Sequence, residues 1–172
     1  MGAIHQILLA IGIKWWWTQT ADSRAWYAVA SSSDGVKLVA CVNGGFIYTS
    51  TNSGATWTQR DASRVWIAVA SSSDGVKLVA CVSGGYIYTS TDSGVTWTVR
   101  SVYANYTVAS SADGVKLVAC VSGGYIYTSR DSGVTWTPGT LTGIWHGVSS
   151  SSDGNRLIAV INNGYIYTGV YR

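Results

Sequence analysis

A unit of about 40 residues recurs along this chain, and any fold proposed for it has to accommodate the recurrence. Residues 71–97, SSSDGVKLVACVSGGYIYTSTDSGVTW, return almost unchanged at 110–136 and more loosely at 31–57 and from 150 onward. Asp34, Asp74, Asp113 and Asp153, each followed by glycine, mark the register with steps of 40, 39 and 40 residues. That period belongs to propeller blades or solenoid units, which bury their apolar faces only by leaning on neighbouring copies.

Within the second copy, residues 65–71 read as a strand, and the Asp74-Gly75 pair turns the chain into a second strand at 77–82. The core of that second strand, LVACV, does not alternate with polar residues, so it expects cover on both faces. Gly84-Gly85 turns into a third strand at 86–90, and Asp92-Ser93-Gly94 turns into a fourth at 96–98. No segment shows helical periodicity, which excludes helical solenoids. The expected fold is all-β: a β-propeller of about four four-stranded antiparallel blades per chain. Radial packing covers both faces of each sheet without leaving long free edges. The small residues Ala28-Val29-Ala30, Ala68-Val69-Ala70 and Val108-Ala109 nominate the first strand of each blade as the one lining the axis.

The turns between third and fourth strands share a stricter pattern. They read Ser50, Asn52, Gly54 and Trp57; Ser90, Asp92, Gly94 and Trp97; and Ser129, Asp131, Gly133 and Trp136. This resembles the Asp box, Ser-x-Asp-x-Gly-x-Thr-Trp, of bacterial neuraminidase repeat (BNR-like) propellers, and the related blade pattern covers residues 15–172. The resemblance implies structural turns, with no catalytic role for Asp92 or Asp131. Asn52 departs from the pattern but keeps an oxygen able to accept the turn's hydrogen bonds.

Residues 1–14 read as an N-terminal extension and residues 15–172 as the repeat domain. Residues 15–19, WWWTQ, line up with the fourth strand that starts at Trp57, whereas the chain stops after a third strand at 165–168. The N-terminal strand is therefore expected to complete the last blade, in the same chain or across a homodimer that makes eight blades, with the dimer favoured.

Charged residues make up only 11% of the chain and the net charge is +3. Lys37, Lys77, Lys116 and Arg156 occupy one position per copy, which spreads positive charge evenly and argues against nucleic acid as a partner. The apolar run at 7–13 is too short to cross a bilayer, and the Met1-Gly2 start carries Gln6 where a myristoylation signal wants Ser or Thr. No membrane partner is expected, and the compartment stays open. Cys41, Cys81 and Cys120 hold one repeat position that Val160 fills in the fourth copy, so they read as small buried hydrophobes and not as metal ligands or disulfides. Asn105-Tyr106-Thr107 matches a glycosylation acceptor but starts a strand.

Sialidases resembling these repeats use an arginine cluster, a tyrosine nucleophile assisted by glutamate, and an aspartate acid or base. The chain contains no glutamate, and six of its eight aspartates sit in turns or boxes, leaving Asp22 and Asp61. His5 and His146 have no repeated partner. These counts disfavour a paired-carboxylate hydrolase and a His-based metal centre, and no cofactor is expected.

Binding survives. The linkers between blades fall on the same end as the Gly-Gly turns and differ most among copies. They nominate Arg24, Trp26, Arg64, Trp66, Tyr103, Asn105 and Trp145 as ligand-binding residues, rings to stack on sugars with Arg and Asn to hydrogen-bond them. The leading expectation is a non-catalytic, lectin-like binding or assembly module. The alternatives are a protein-interaction or purely structural scaffold, amplified recently or engineered, and a sialidase-like fragment, which the missing glutamate disfavours.

Overall fold

The computed structural model describes residues 16–103 and 106–171, and among these it contains twelve strands and no helix. The N-terminal extension, Trp15 and Asn105 lie outside the described residues. Blade 1 consists of β1 (Trp26–Ser31), both arms of β2 (Leu38–Ser50) and the start of β3 (Thr58–Ser71). The end of β3, β4 (Leu78–Val82), β5 (Tyr86–Ser90) and β6 (Thr98–Tyr103) make blade 2. Blade 3 is β7 (Thr107–Ser110), β8 (Leu117–Cys120), β9 (Ser122–Ser129) and the start of β10 (Thr137–Ser150). Blade 4 is the end of β10, β11 (Arg156–Ile161) and β12 (Ile166–Val170).

All pairings are antiparallel, as short hairpin connections dictate. Strand β2 runs on through a bend within blade 1, and β3 and β10 run on from one blade into the next, joining blades 1 and 2, and blades 3 and 4, within continuous hydrogen-bonded sheets. Gly44 supplies the bend within β2 at φ 72°, a left-handed conformation that glycine adopts without steric cost.

The core lies between blades. Val39, Cys41 and Ile47 of blade 1 meet Val69, Leu78 and Ala80 of blade 2. Val79, Cys81 and Ile87 on the other face of blade 2 meet Val108, Leu117 and Ala119 of blade 3. Cys120 of blade 3 then meets Trp145 and Ala159 of blade 4. The unbroken apolar run of each second strand is thus covered twice, as its lack of alternation requires. The ends of the first strands, with the serine turns that follow them, line one shallow axial hollow of about 420 Å³.

The array is open at both ends. Val29 on the outer face of blade 1 is 74% exposed, and Ile166 on the outer face of blade 4 is 70% exposed, although its repeat equivalent Ile87 is fully buried. Among the described residues nothing completes blade 4 within the chain: residues 16–19 form no strand, and β12 pairs with β11.

Ile87→Ala should lower the stability to urea by about 2–5 kcal/mol, because it empties a fully buried position between two blades.

Candidate functional site

Two latches recur in every complete copy and fix the loop ends. In the first, Ser72 Oγ donates to Asp74 Oδ1 at 2.5 Å and accepts from Lys77 N at 3.0 Å, while Asp74 Oδ1 accepts from Val76 N at 3.0 Å. The same bonds recur around Ser32, Ser111 and Ser151. In the sequence the signal for this latch is the fixed offset of two residues between each serine and its aspartate.

The second latch is the box. Asp92 Oδ1 accepts from Thr96 N at 2.9 Å, Asp92 Oδ2 from Thr96 Oγ1 at 2.6 Å, and Ser90 Oγ from Gly94 N at 2.9 Å. Trp97 Nε1 closes back on the Gly94 carbonyl at 3.1 Å. At Asn52 the oxygen still accepts from Thr56 N, and the amide now donates to Thr56 Oγ1, both at 2.9 Å. Asn52, Asp92 and Asp131 are therefore all engaged in holding turns.

The inter-blade linkers share one end of the molecule with the Gly-Gly turns. Ser63 Oγ donates to the Gly44 carbonyl at 3.3 Å, the Tyr103 hydroxyl to the Gly84 carbonyl, and Trp145 Nε1 to the Gly124 carbonyl at 3.0 Å. On this face Arg24 stacks over Tyr48 at 5.0 Å and lies 3.6 Å from Asp22. Arg64 repeats the arrangement over Tyr88 at 4.7 Å and Trp66 at 5.7 Å, with Asp61 3.5 Å away. Arg64 Nε is buried without a hydrogen-bond partner, so its guanidinium is held by ring faces and the nearby carboxylate.

Two of the nominated residues need correcting. Trp66 and Trp145 are 0% and 1% exposed, and each turns its ring onto the tyrosine of its own blade, Tyr88 at 5.1 Å and Tyr167 at 5.1 Å. Neither ring offers an exposed face for a ligand on the linker surface. Trp26 makes the same contact with Tyr48 at 5.2 Å and is half-buried. Tyr103 and Tyr86 meet edge to face at 5.6 Å and are both about half exposed, and Tyr125 and Tyr165, at the position of Tyr86 in the next two copies, are exposed as well. Tyr86 was not nominated, since the nominations were drawn from the linkers and it opens the third strand of its blade. Arg24 is accessible, and Asn105 falls outside the described residues.

The cysteines sit in the core, where burial pushes the Cys41 and Cys120 thiols up to about 11 and Cys81 higher still. Among the described residues no three His, Cys, Asp or Glu side chains converge on a common point. No described helix is long and apolar enough to cross a membrane.

No family model and no curated protein matches the chain. Its backbone is similar to a GH74 enzyme of Niastella koreensis, with TM-score 0.69 and 23% identity over 83% of this chain and 22% of that one. It is similar to YCF48 bound to D1 peptide, with TM-score 0.64 and 15% identity over 84% and 51%. It is also similar to the beta-propeller domain of Cps50 (Swd1) from Myceliophteria thermophila, with TM-score 0.70 and 11% identity over 86% and 52%. The chain spans about half or less of each of these proteins. The fold is a β-propeller.

Hydrogen bonds from Thr135 hold the Asp131 carboxyl down at about 2, and those from Ser151 do the same for Asp153, against an ordinary value of 3.8. A carboxyl with a lowered folded pKa stabilises above its unfolded value and loses that contribution as it protonates. Resistance to urea should thus hold above about pH 4 and fall between about pH 4 and 2.

Proposed function

We propose that the chain is a non-catalytic β-propeller module for binding and assembly, and that its most concrete ligand is a glycan held on the linker face. The exposed Tyr86–Tyr103 pair carries this reading. Two rings at 5.6 Å, beside the Gly84 turn, offer flat apolar surface for a sugar ring at low entropic cost. Arg24, exposed on the same end of blade 1, supplies a fork of donors for sugar hydroxyls. The non-catalytic part of the reading is supported by the aspartates: those of the serine and box latches are tied into turns, and Asp22 and Asp61 lie against arginines.

A second reading takes a peptide or protein as ligand. One neighbour of this fold is a structure bound to a peptide, and the free edge of β12 is a surface to which an extended segment can add. In either case self-association as a homodimer is part of the reading, since both ends of the array are apolar and open.

On a glycan array the protein should show saturable binding that Tyr103→Ala weakens by about tenfold or more, roughly the contribution of one stacked ring. A silent array, together with specific capture of extended peptides that compete for the β12 edge, would favour the second reading.

A further inference from the structure

The junctions between blades are built from the same contacts each time, and the two ends of the array carry complementary halves of those contacts. Ser33 N donates to the Ser73 carbonyl at 2.8 Å, Ser73 N to the Ala112 carbonyl at 2.7 Å, and Ala112 N to the Ser152 carbonyl at 2.7 Å. Among the described residues the series leaves the Ser33 carbonyl at one end and the Ser152 amide at the other. Lysines follow the same rule, each lying over the Asp-Gly turn of the next blade. A Cβ built on Gly75, Gly114 or Gly154 would come within 2.6–2.7 Å of the Cβ of Lys37, Lys77 or Lys116. A Cβ on Gly35, in the first turn, would meet nothing within 4 Å. Arg156 occupies the lysine position of blade 4, is exposed, and has no turn to cover among the described residues.

A cavity completes the pattern. In blades 1 and 2 three rings nest together: Trp57 lies 6.3 Å from Trp26, and Trp97 lies 6.2 Å from Trp66, beside Tyr48 and Tyr88. Blade 4 repeats the first two rings, Trp145 and Tyr167, and in place of the third has a cavity of about 190 Å³. The cavity is lined by Ile126 and Leu141, the repeat equivalents of Ile87 and Val102, which belong to the core cluster against which Trp136 packs in blade 3. Its shape and lining are those of a box tryptophan's seat. Trp17, whose Trp-Thr-Gln context repeats that of Trp57, is 94% exposed. The spacing from Gln19 to Trp26 equals that from Gln59 to Trp66, so residues 17–19 have the chain length to serve as the outer strand of whichever blade packs against blade 1.

Within one chain the faces of blade 4 and blade 1 do not meet in any core cluster, whereas a second copy brings its own blade 1 and Trp17 to blade 4 together. We propose that two copies close head to tail into an eight-blade ring, in which Trp17 of each fills the cavity beside Trp145 and Tyr167 of the other and Arg156 lies over the other's Asp34-Gly35 turn. Eight blades falls within the range in which propellers close, and a head-to-tail interface that closes after two copies leaves no apolar face uncovered. In the register of the complete blades, where Thr49 faces Thr58 and Tyr48 faces Gln59, Thr168 faces Thr18 and Tyr167 faces Gln19 across the copies. The inference deepens the self-association named above and is independent of the ligand, so a silent glycan array leaves it standing.

The test is light scattering on the full chain at micromolar concentration, without ligand, followed by oxidation of a Thr18→Cys, Thr168→Cys double variant. The expected mass is about twice 18.2 kDa, and the oxidised variant should run as a covalent dimer on a non-reducing gel. Trp17→Ala and Arg156→Glu should each weaken the dimer at least tenfold while leaving the β-sheet circular dichroism unchanged. A species of single-chain mass, whether or not it carries an internal crosslink, overturns the proposal. So does a larger multiple of the chain, or a dimer that both single variants leave intact.

Discussion

Each blade of this protein has two apolar faces, and a sheet of that kind is stable only between two others. The dominant favourable free energy of folding is burial, at roughly 25 cal/mol per Å² of apolar surface, and here it is collected between blades and not within them. Val39, Cys41 and Ile47 find their cover on blade 2, as Val79, Cys81 and Ile87 find theirs on blade 3. The rest of the molecule serves that sandwiching. The serine and box latches, tied to each other by bonds such as Ser93 N to the Val76 carbonyl, hold the loops at the end of each sheet opposite the Gly-Gly turns, so that neighbouring faces stay in register. The lysines of blades 1 to 3 each lie over the Asp-Gly turn of the next blade, and Lys116 donates to the Asp153 carbonyl at 2.8 Å and to Asn155 Oδ1 at 2.6 Å.

The same constraint accounts for the shape of the candidate binding face. Linkers must carry the chain from the outer edge of one blade to the inner edge of the next, and they do so over the Gly-Gly turns, to which Ser63, Tyr103 and Trp145 tie them. Because linkers contribute little to the blade sandwich, their residues are free to differ, and they do: Arg24 and Arg64 hold tyrosine faces, whereas the third linker sets Tyr103 against Tyr86. Diversity is confined to the surface where it does not disturb packing.

Much of this was legible in the letters. The period, the four strands per unit, the box turns and the buried cysteines follow from local pattern, because turn chemistry and strand alternation are properties of short segments. Burial of particular rings was not legible. Trp66 and Trp145 stand where a linker becomes a strand, and only the fold of the blade edge decides whether such a ring faces solvent or the tyrosine beneath it. Nor can a repeat motif disclose its own boundary. Ile87 and Ile166 are the same letter in the same frame, yet one is sealed and the other 70% exposed, because exposure belongs to the neighbour and not to the residue.

Since the surface that blade 1 shows to blade 2 is copied in what blade 2 shows to blade 3, these junctions are interchangeable parts. A gene that duplicated or lost one such unit would present every remaining blade with a counterpart it already fits, so selection acting on array length need not rework the contacts themselves. Modularity of this sort makes the number of units an evolutionary variable separate from the chemistry of the seam.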